Sequence, residues 1–171
     1  PILYRMDHDL LDFDERMSVL VQKVAGRRWG DYFFPFAAGV AYSRNTYRWT
    51  PRIKMQEGLV RLVFGLGTRA VDRVAGDYPR MIALSHPLLR PEMGADQIRK
   101  YSQKMVDVLN LKENRLETVL FQDLMVKTQH PDVPQAVSMI KDGHLAAPMF
   151  RGQSLEPENC CITFDGFLTR S

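Results

Sequence analysis

Leu59-Val-Arg-Leu-Val-Phe-Gly-Leu-Gly-Thr-Arg-Ala-Val-Asp72 carries three structural instructions in succession. Residues 59–64 alternate around Arg61, the period-two signature of a strand. Gly65-Leu66-Gly67 must then turn tightly, because glycine reaches backbone conformations that other residues avoid. Thr68 can cap a helix running to about Val74, which Gly76 and Pro79 bring to an end. Strand, glycine turn and helix together are compatible with phosphate binding. Yet the turn matches neither the dinucleotide fingerprint nor the Walker lysine motif, since no Lys-Ser/Thr pair follows and the third glycine is missing. Taken alone, it reads as a structural turn.

Working outward, Met17-Ser-Val-Leu-Val-Gln-Lys-Val24 is short and rich in β-branched residues. This predicts a strand buried on both sides in its middle and turning polar at Gln22-Lys23. Residues 26–31 read as a basic loop, and the strand after Pro35 is placed at residues 39–43. A long loop follows over residues 44–58, and residues 80–84 form another short apolar strand closed by Ser85-His86-Pro87. Beyond it the chain reads as successive hairpins. Residues 104–111 and 115–120 flank Lys112-Glu113-Asn114, and residues 136–140 meet 145–148 across Asp142-Gly143, a type I′ signal. Residues 160–164 are the last strand. The expected fold is α+β with a mostly antiparallel sheet. It divides into an acidic lead-in (1–15), a core segment (16–90) and a hairpin-rich continuation of the same domain (91–171).

The chain has 171 residues, of which 45% are hydrophobic and 25% charged, so neither a disordered nor a fibrous protein is expected. No apolar run reaches the roughly 18 residues of a membrane span, and the acidic start is unlike a signal peptide. The two cysteines, Cys160 and Cys161, are neighbours, a spacing that strains a disulfide, so a reducing, cytoplasmic setting is expected. The chain opens on Pro1 and closes at Thr169-Arg170-Ser171 after an apolar cluster, which reads as a piece of a longer polypeptide. Its net charge of +3 is blocked: −4 over residues 1–15, +9 over 16–90 and −2 over 91–171. Eleven of the thirteen cations in the middle block are arginines, whose planar fork pairs with phosphate or carboxylate. A polyanionic ligand is favoured there over a merely solvated basic face.

Other chemistry-bearing residues read more plainly. His86 precedes Pro87 and is a turn residue, and His144 follows the Asp142-Gly143 turn at the surface. Asp7, Asp9, Asp12, Asp14 and Glu15 lack the glycine and closing glutamate of a calcium loop, so they form a solvated lead-in without a metal site. Trp29 and Trp49 lie amid arginines and either stack on bases or pack the sheet.

Three middle segments together resemble one family. They are Met17-Ser-Val-Leu-Val-Gln-Lys-Val24, Gly39-Val-Ala-Tyr-Ser-Arg-Asn45, and Leu62-Val-Phe-Gly-Leu-Gly-Thr-Arg-Ala-Val-Asp72 followed by Asp77-Tyr78-Pro79. They resemble, in order, the Met-Ala-Val-x-Val-Gln, Gly-Val-x-Phe-Ser/Thr-x-Asn and Gly-Leu-Gly-Glu segments of the nucleotide-binding domain of phosphoenolpyruvate synthase and pyruvate phosphate dikinase. The resemblance covers residues 16 to about 90. It implies an ATP-grasp fold, part of which this chain would form, and a parent enzyme that uses ATP and Mg²⁺ to phosphorylate a histidine on a separate domain. The acceptor implied after that is a small molecule such as pyruvate.

By the same resemblance, Gln22, Lys23 and Val24 lie at the hinge that contacts adenine, while Arg44, Gly67 and Arg69 lie on the phosphate side. The family's usual glutamate is replaced by Thr68, so the role of that carboxylate is absent or moved. Its closing Asp-x-Glu and Leu-Gln-x-Arg strands are not found, and no Thr-x-His or Cys-His context marks a phosphohistidine. The implied partners are therefore the rest of the polypeptide: the first ATP-grasp subdomain and the phosphohistidine domain. This segment alone should not turn over. Two other functions are weighed against it. A basic nucleic-acid module would use the same charge, although no recognised motif supports it, and a regulatory domain would keep the fold without the chemistry.

Overall fold

Short strands separated by glycine, asparagine and aspartate turns divide the chain among three small antiparallel sheets. The computed structural model describes residues 2–14, 16–72, 74–128, 131–148 and 156–169. Glu15 of the acidic lead-in, Arg73 near the end of the expected helix, and His130 lie outside the described residues. Helix α1 (Ile2–Asp7) opens the chain. The first hairpin joins β1 (Arg27–Trp29) to β2 (Tyr32–Phe34) across Gly30-Asp31, with Gly30 at a φ of 60°. Strands β3 (Ala38–Tyr42) and β4 (Leu59–Val63) follow, then helix α2 (Thr68–Val71) and β5 (Arg80–Ala83). Helix α3 (Ala95–Lys100) leads into the long hairpin of β6 (Met105–Asn110) and β7 (Arg115–Leu120). Helices α4 (Phe121–Thr128) and α5 (Val133–Ala136) precede β8 (Val137–Lys141) and β9 (His144–Ala146). Strand β10 (Cys160–Ile162) and helix α6 (Asp165–Leu168) complete the order.

The sheets run β1-β2-β6-β7, β3-β4-β5 and β10-β8-β9, and every strand pair is antiparallel. Because β2 pairs with β6, the continuation beyond residue 91 shares a sheet with the middle segment. Asp142 and Gly143 have φ values of 50° and 75°, as the type I′ turn requires, and Asn114 takes 49° in the other hairpin turn. One core binds the layers. Phe64 is 1% exposed and packs on Phe34 and Phe121, while Phe36 bridges the Phe64 and Phe164 rings. Val106, Val108, Leu124, Val137 and Ile162 fill the remaining space, and Trp29 packs against this cluster. Cys160 and Cys161 are free, buried thiols, and burial pushes both up to about 11, away from reactive thiolate. No helix among the described residues is long and apolar enough to cross a membrane.

Three expectations need correction. The strand expected over residues 17–24 is not formed: the segment has no regular secondary structure, and Met17 and Val21 are 98% and 88% exposed. β-Branched residues favour extended backbone, but a strand is held by a ladder, and none is offered here. The expected basic loop over 26–31 contains β1 and its turn, since exposed arginines are no obstacle on an edge strand. Helices beyond the 68–74 segment were not expected, and that segment is itself shorter than its cap signal implied. The missing signal is visible in α4, which buries Phe121, Leu124 and Met125 at helical spacing.

Candidate functional site

The glycine turn leaves β4 where nothing larger fits. A Cβ on Gly65 would stand 2.3 Å from Val106 Cγ1 and 2.8 Å from the Asp107 carbonyl oxygen, and its φ is +88°. Only glycine meets both conditions. Just before it, Gln103 acts as a one-residue strand: its Oε1 accepts the Phe64 N–H at 2.7 Å and its Nε2 donates to the Phe64 and Met105 carbonyls at 2.9 Å each. Just after it, the Leu66 N–H donates to the Asp107 carbonyl at 2.9 Å. The turn is thereby fastened to β6 from both sides.

The Asp107 side chain completes the fastening. Thr68 Oγ1 donates to one oxygen at 2.5 Å, and Thr118 Oγ1 and Arg69 Nε donate to the other at 2.6 and 3.0 Å. Burial pushes this carboxyl up, but hydrogen bonds from Thr118, Thr68 and Arg69, with the Arg69 charge, outweigh it and hold it below the usual range. Arg69 Nη1 reaches Asp77 at 2.5 Å, and the other Asp77 oxygen accepts the Lys104 N–H at 2.6 Å. These ion pairs are inside the protein, with side-chain exposures of 14% for Arg69, 6% for Asp77 and 9% for Asp107. Two carboxylates therefore claim the single guanidinium.

Beside this clamp opens a cleft of about 610 Å³, walled by Tyr47, Arg61, Tyr78, Met81, Glu92 and Tyr101. Arg61 and Met81 are cross-strand partners on β4 and β5 and form its floor. Fully buried Asn45 sets the loop that carries Tyr47: its N–H donates to the Met55 carbonyl at 2.7 Å, and its Oδ1 accepts the Tyr47 N–H at 2.8 Å. Tyr78 and Tyr101 meet edge to face, ring centroids 5.4 Å apart.

The residues expected to touch ATP are distributed unevenly. Gln22, Lys23 and Val24 lie in the exposed segment without regular structure. Gly67 is the N-cap of α2, its Cβ position 3.4 Å from Ala38 Cβ. Arg44 is exposed just past β3. Since Tyr42 pairs with Leu59 and Ala38 with Val63, Arg44 and the glycine turn sit at opposite ends of the β3–β4 ladder. At about 3.3 Å per residue, that separation is roughly 20 Å. Arg69, expected on the phosphate side, has its guanidinium paired with Asp77 and Asp107. Of the other middle arginines, Arg27, Arg28, Arg44, Arg48 and Arg52 are exposed and Arg80 is buried.

Asp107 and Gln103 escaped the sequence reading, although a carboxylate centred in Met105-Val-Asp-Val-Leu-Asn110 is the kind of buried polar residue that demands partners. His86 is a turn residue, its Nδ1 2.8 Å from Ser85 Oγ, and His144 is exposed, both as read. No group of three or more His, Cys, Asp or Glu residues among the described residues converges to hold a metal. The two buried acids near the turn have their oxygens taken by Arg69, Thr68, Thr118 and Lys104, so these residues do not fit a Mg²⁺ ion.

No curated protein and no solved structure matched the chain. The family model described as "Pyruvate phosphate dikinase, AMP/ATP-binding domain" matches residues 1–140, a span holding both the Val-Gln segment and the clamped glycine turn. That domain is an ATP-grasp type of nucleotide-binding domain, in accord with the α+β, antiparallel architecture. The chain belongs to the pyruvate phosphate dikinase AMP/ATP-binding domain family.

Proposed function

We propose that this chain holds ATP within a phosphotransferase resembling phosphoenolpyruvate synthase and pyruvate phosphate dikinase. The phosphoryl group then passes to a histidine on another domain and onward to a small acceptor such as pyruvate. The observation that carries the reading is the family match, whose residues 1–140 include all three segments that resemble the nucleotide-binding domain.

Residues 22–24 support it. They are exposed and form no backbone hydrogen bond among the described residues, so their N–H and C=O groups are open to a purine edge. Arg44, exposed and without an ion pair among the described residues, is the cation for a phosphate. Gly67 lets the turn backbone come close to a ligand, and Arg69 acts one step back by fixing that turn.

Binding, rather than turnover, is the measurement. Calorimetric titration of the chain with ATP and AMP is expected to show saturable binding. Arg44→Ala should weaken ATP by about 1.5–3 kcal/mol, the contribution of a charge-assisted hydrogen bond. Unchanged affinity would remove Arg44 from the site. A steeply salt-dependent affinity for an oligonucleotide, with ATP a poor competitor, would replace this reading with a basic nucleic-acid module.

A further inference from the structure

We propose that the cleft between Tyr47, Tyr78 and Tyr101 is a second small-molecule site, built for a compact planar acid that also carries an amino group. None of the residues assigned to ATP lines it. Its volume of about 610 Å³ suits a small ligand, and its walls are aromatic and aliphatic: three tyrosines, Met81, Pro79 and Pro91. Edge-to-face contact between Tyr78 and Tyr101 fixes one wall, and Lys100 Nζ lies 5.3 Å from the Tyr101 ring centroid.

Two polar groups give the cleft its selectivity. Arg61 rises from the floor, and its side chain has no hydrogen bond or ion pair among the described residues. The other arginines near the sheet are spent on protein acceptors. Arg69 serves Asp77 and Asp107, Arg80 serves the Met81 and Pro87 carbonyls at 2.7 and 3.1 Å, and Arg90 is paired with Asp165. An unspent guanidinium fork in an aromatic cleft is a receptor for a carboxylate. The second group is Glu92, whose Oε2 is buried with no hydrogen-bond partner. Burying a carboxylate oxygen without a donor is costly, and a ligand N–H removes that cost.

Charge narrows the class further. Asp72 and Asp77 also line the cleft, and Asp77 is already paired with Arg69, which it shares with Asp107. With one unpaired cation, Arg61, among the carboxylates of Asp72, Asp77 and Glu92, the lining repels a polyphosphate and accepts a single acid paired with a donor. The site is thus chemically unlike one for ATP.

The test uses 4-aminobenzoate, whose acid and amine stand at opposite ends of a flat ring. Calorimetric titration of the chain is expected to show saturable binding that saturating ATP does not displace. Arg61→Met should weaken it about tenfold or more. Glu92→Leu should abolish the preference for 4-aminobenzoate over benzoate while leaving benzoate affinity within about twofold, and thermal melts of both variants establish that they fold. Absence of saturable binding, or Arg61→Met binding as tightly as the parent, overturns the second site. Displacement by ATP overturns it too, because the cleft then belongs to the nucleotide. Failure of ATP to bind while 4-aminobenzoate still does would sink the nucleotide reading alone.

Discussion

Residues 17–24 and residues 59–71 are matched in apolar content, yet one lies exposed and the other holds the middle of a sheet. Met17-Ser-Val-Leu-Val-Gln-Lys-Val24 has a similar local preference for extended backbone, but it finds no partner strand among the described residues. Leu59–Val63 carries an arginine at its centre and is nonetheless bonded along both edges, to β3 and β5. Strand propensity only lowers the cost of an extended backbone, whereas the hydrogen-bond ladder and buried area decide whether that backbone is held. The second region is also tied to a distant hairpin by Gln103 and Asp107.

This contrast can be broken at its anchored end first. Arg69→Ala leaves Asp77 and Asp107 buried without their cation and should cost about 3–5 kcal/mol in urea unfolding. A loss under 1 kcal/mol would mean that water already screens the clamp. Gly65→Ala forces a side chain into left-handed backbone against Val106 and should cost about 1–3 kcal/mol by the same measurement. Parent-like stability would show that the turn relaxes freely.

Acid sharpens the same point. Asp107 is held below its ordinary range in the folded chain, so its stabilisation is present above the unfolded carboxyl value, about 3.9, and is lost as pH falls through the folded value. The stability gap between the parent and Asp107→Asn should therefore be widest near neutral pH and shrink below about pH 4. A gap that stays constant from pH 7 to pH 3, roughly the span of that titration, contradicts the clamp electrostatics. The smallest effect belongs to the other region. Val21→Ser, at an 88% exposed position, should change stability by less than about 0.5 kcal/mol. A loss above 1 kcal/mol would show that residues 17–24 are packed in solution.

Local codes were legible wherever a turn fixes its own geometry. Asp142-Gly143 with the strands on either side of it, and the strand that leads into Gly65-Leu66-Gly67, stand within a residue or two of where their residues place them. Helices α3 and α4 were hidden in a stretch read as hairpins, because two or three buried positions at helical spacing are a faint pattern next to an adjoining strand. At the site, the glycine turn was legible and the fate of Arg69 was not. Nothing local to Thr68-Arg69 reveals that Asp107, thirty-eight residues on, will bond to both.

By itself, the sequence determined the antiparallel α+β character, the turn positions and membership of a nucleotide-binding family, because turn chemistry, strand alternation and segment order are local properties of the chain. Only the tertiary structure decided which cations are free. It placed Arg69 between two buried carboxylates and left Arg61 unspent in an aromatic cleft, since whether a charge is available depends on which distant acid the fold carries to it.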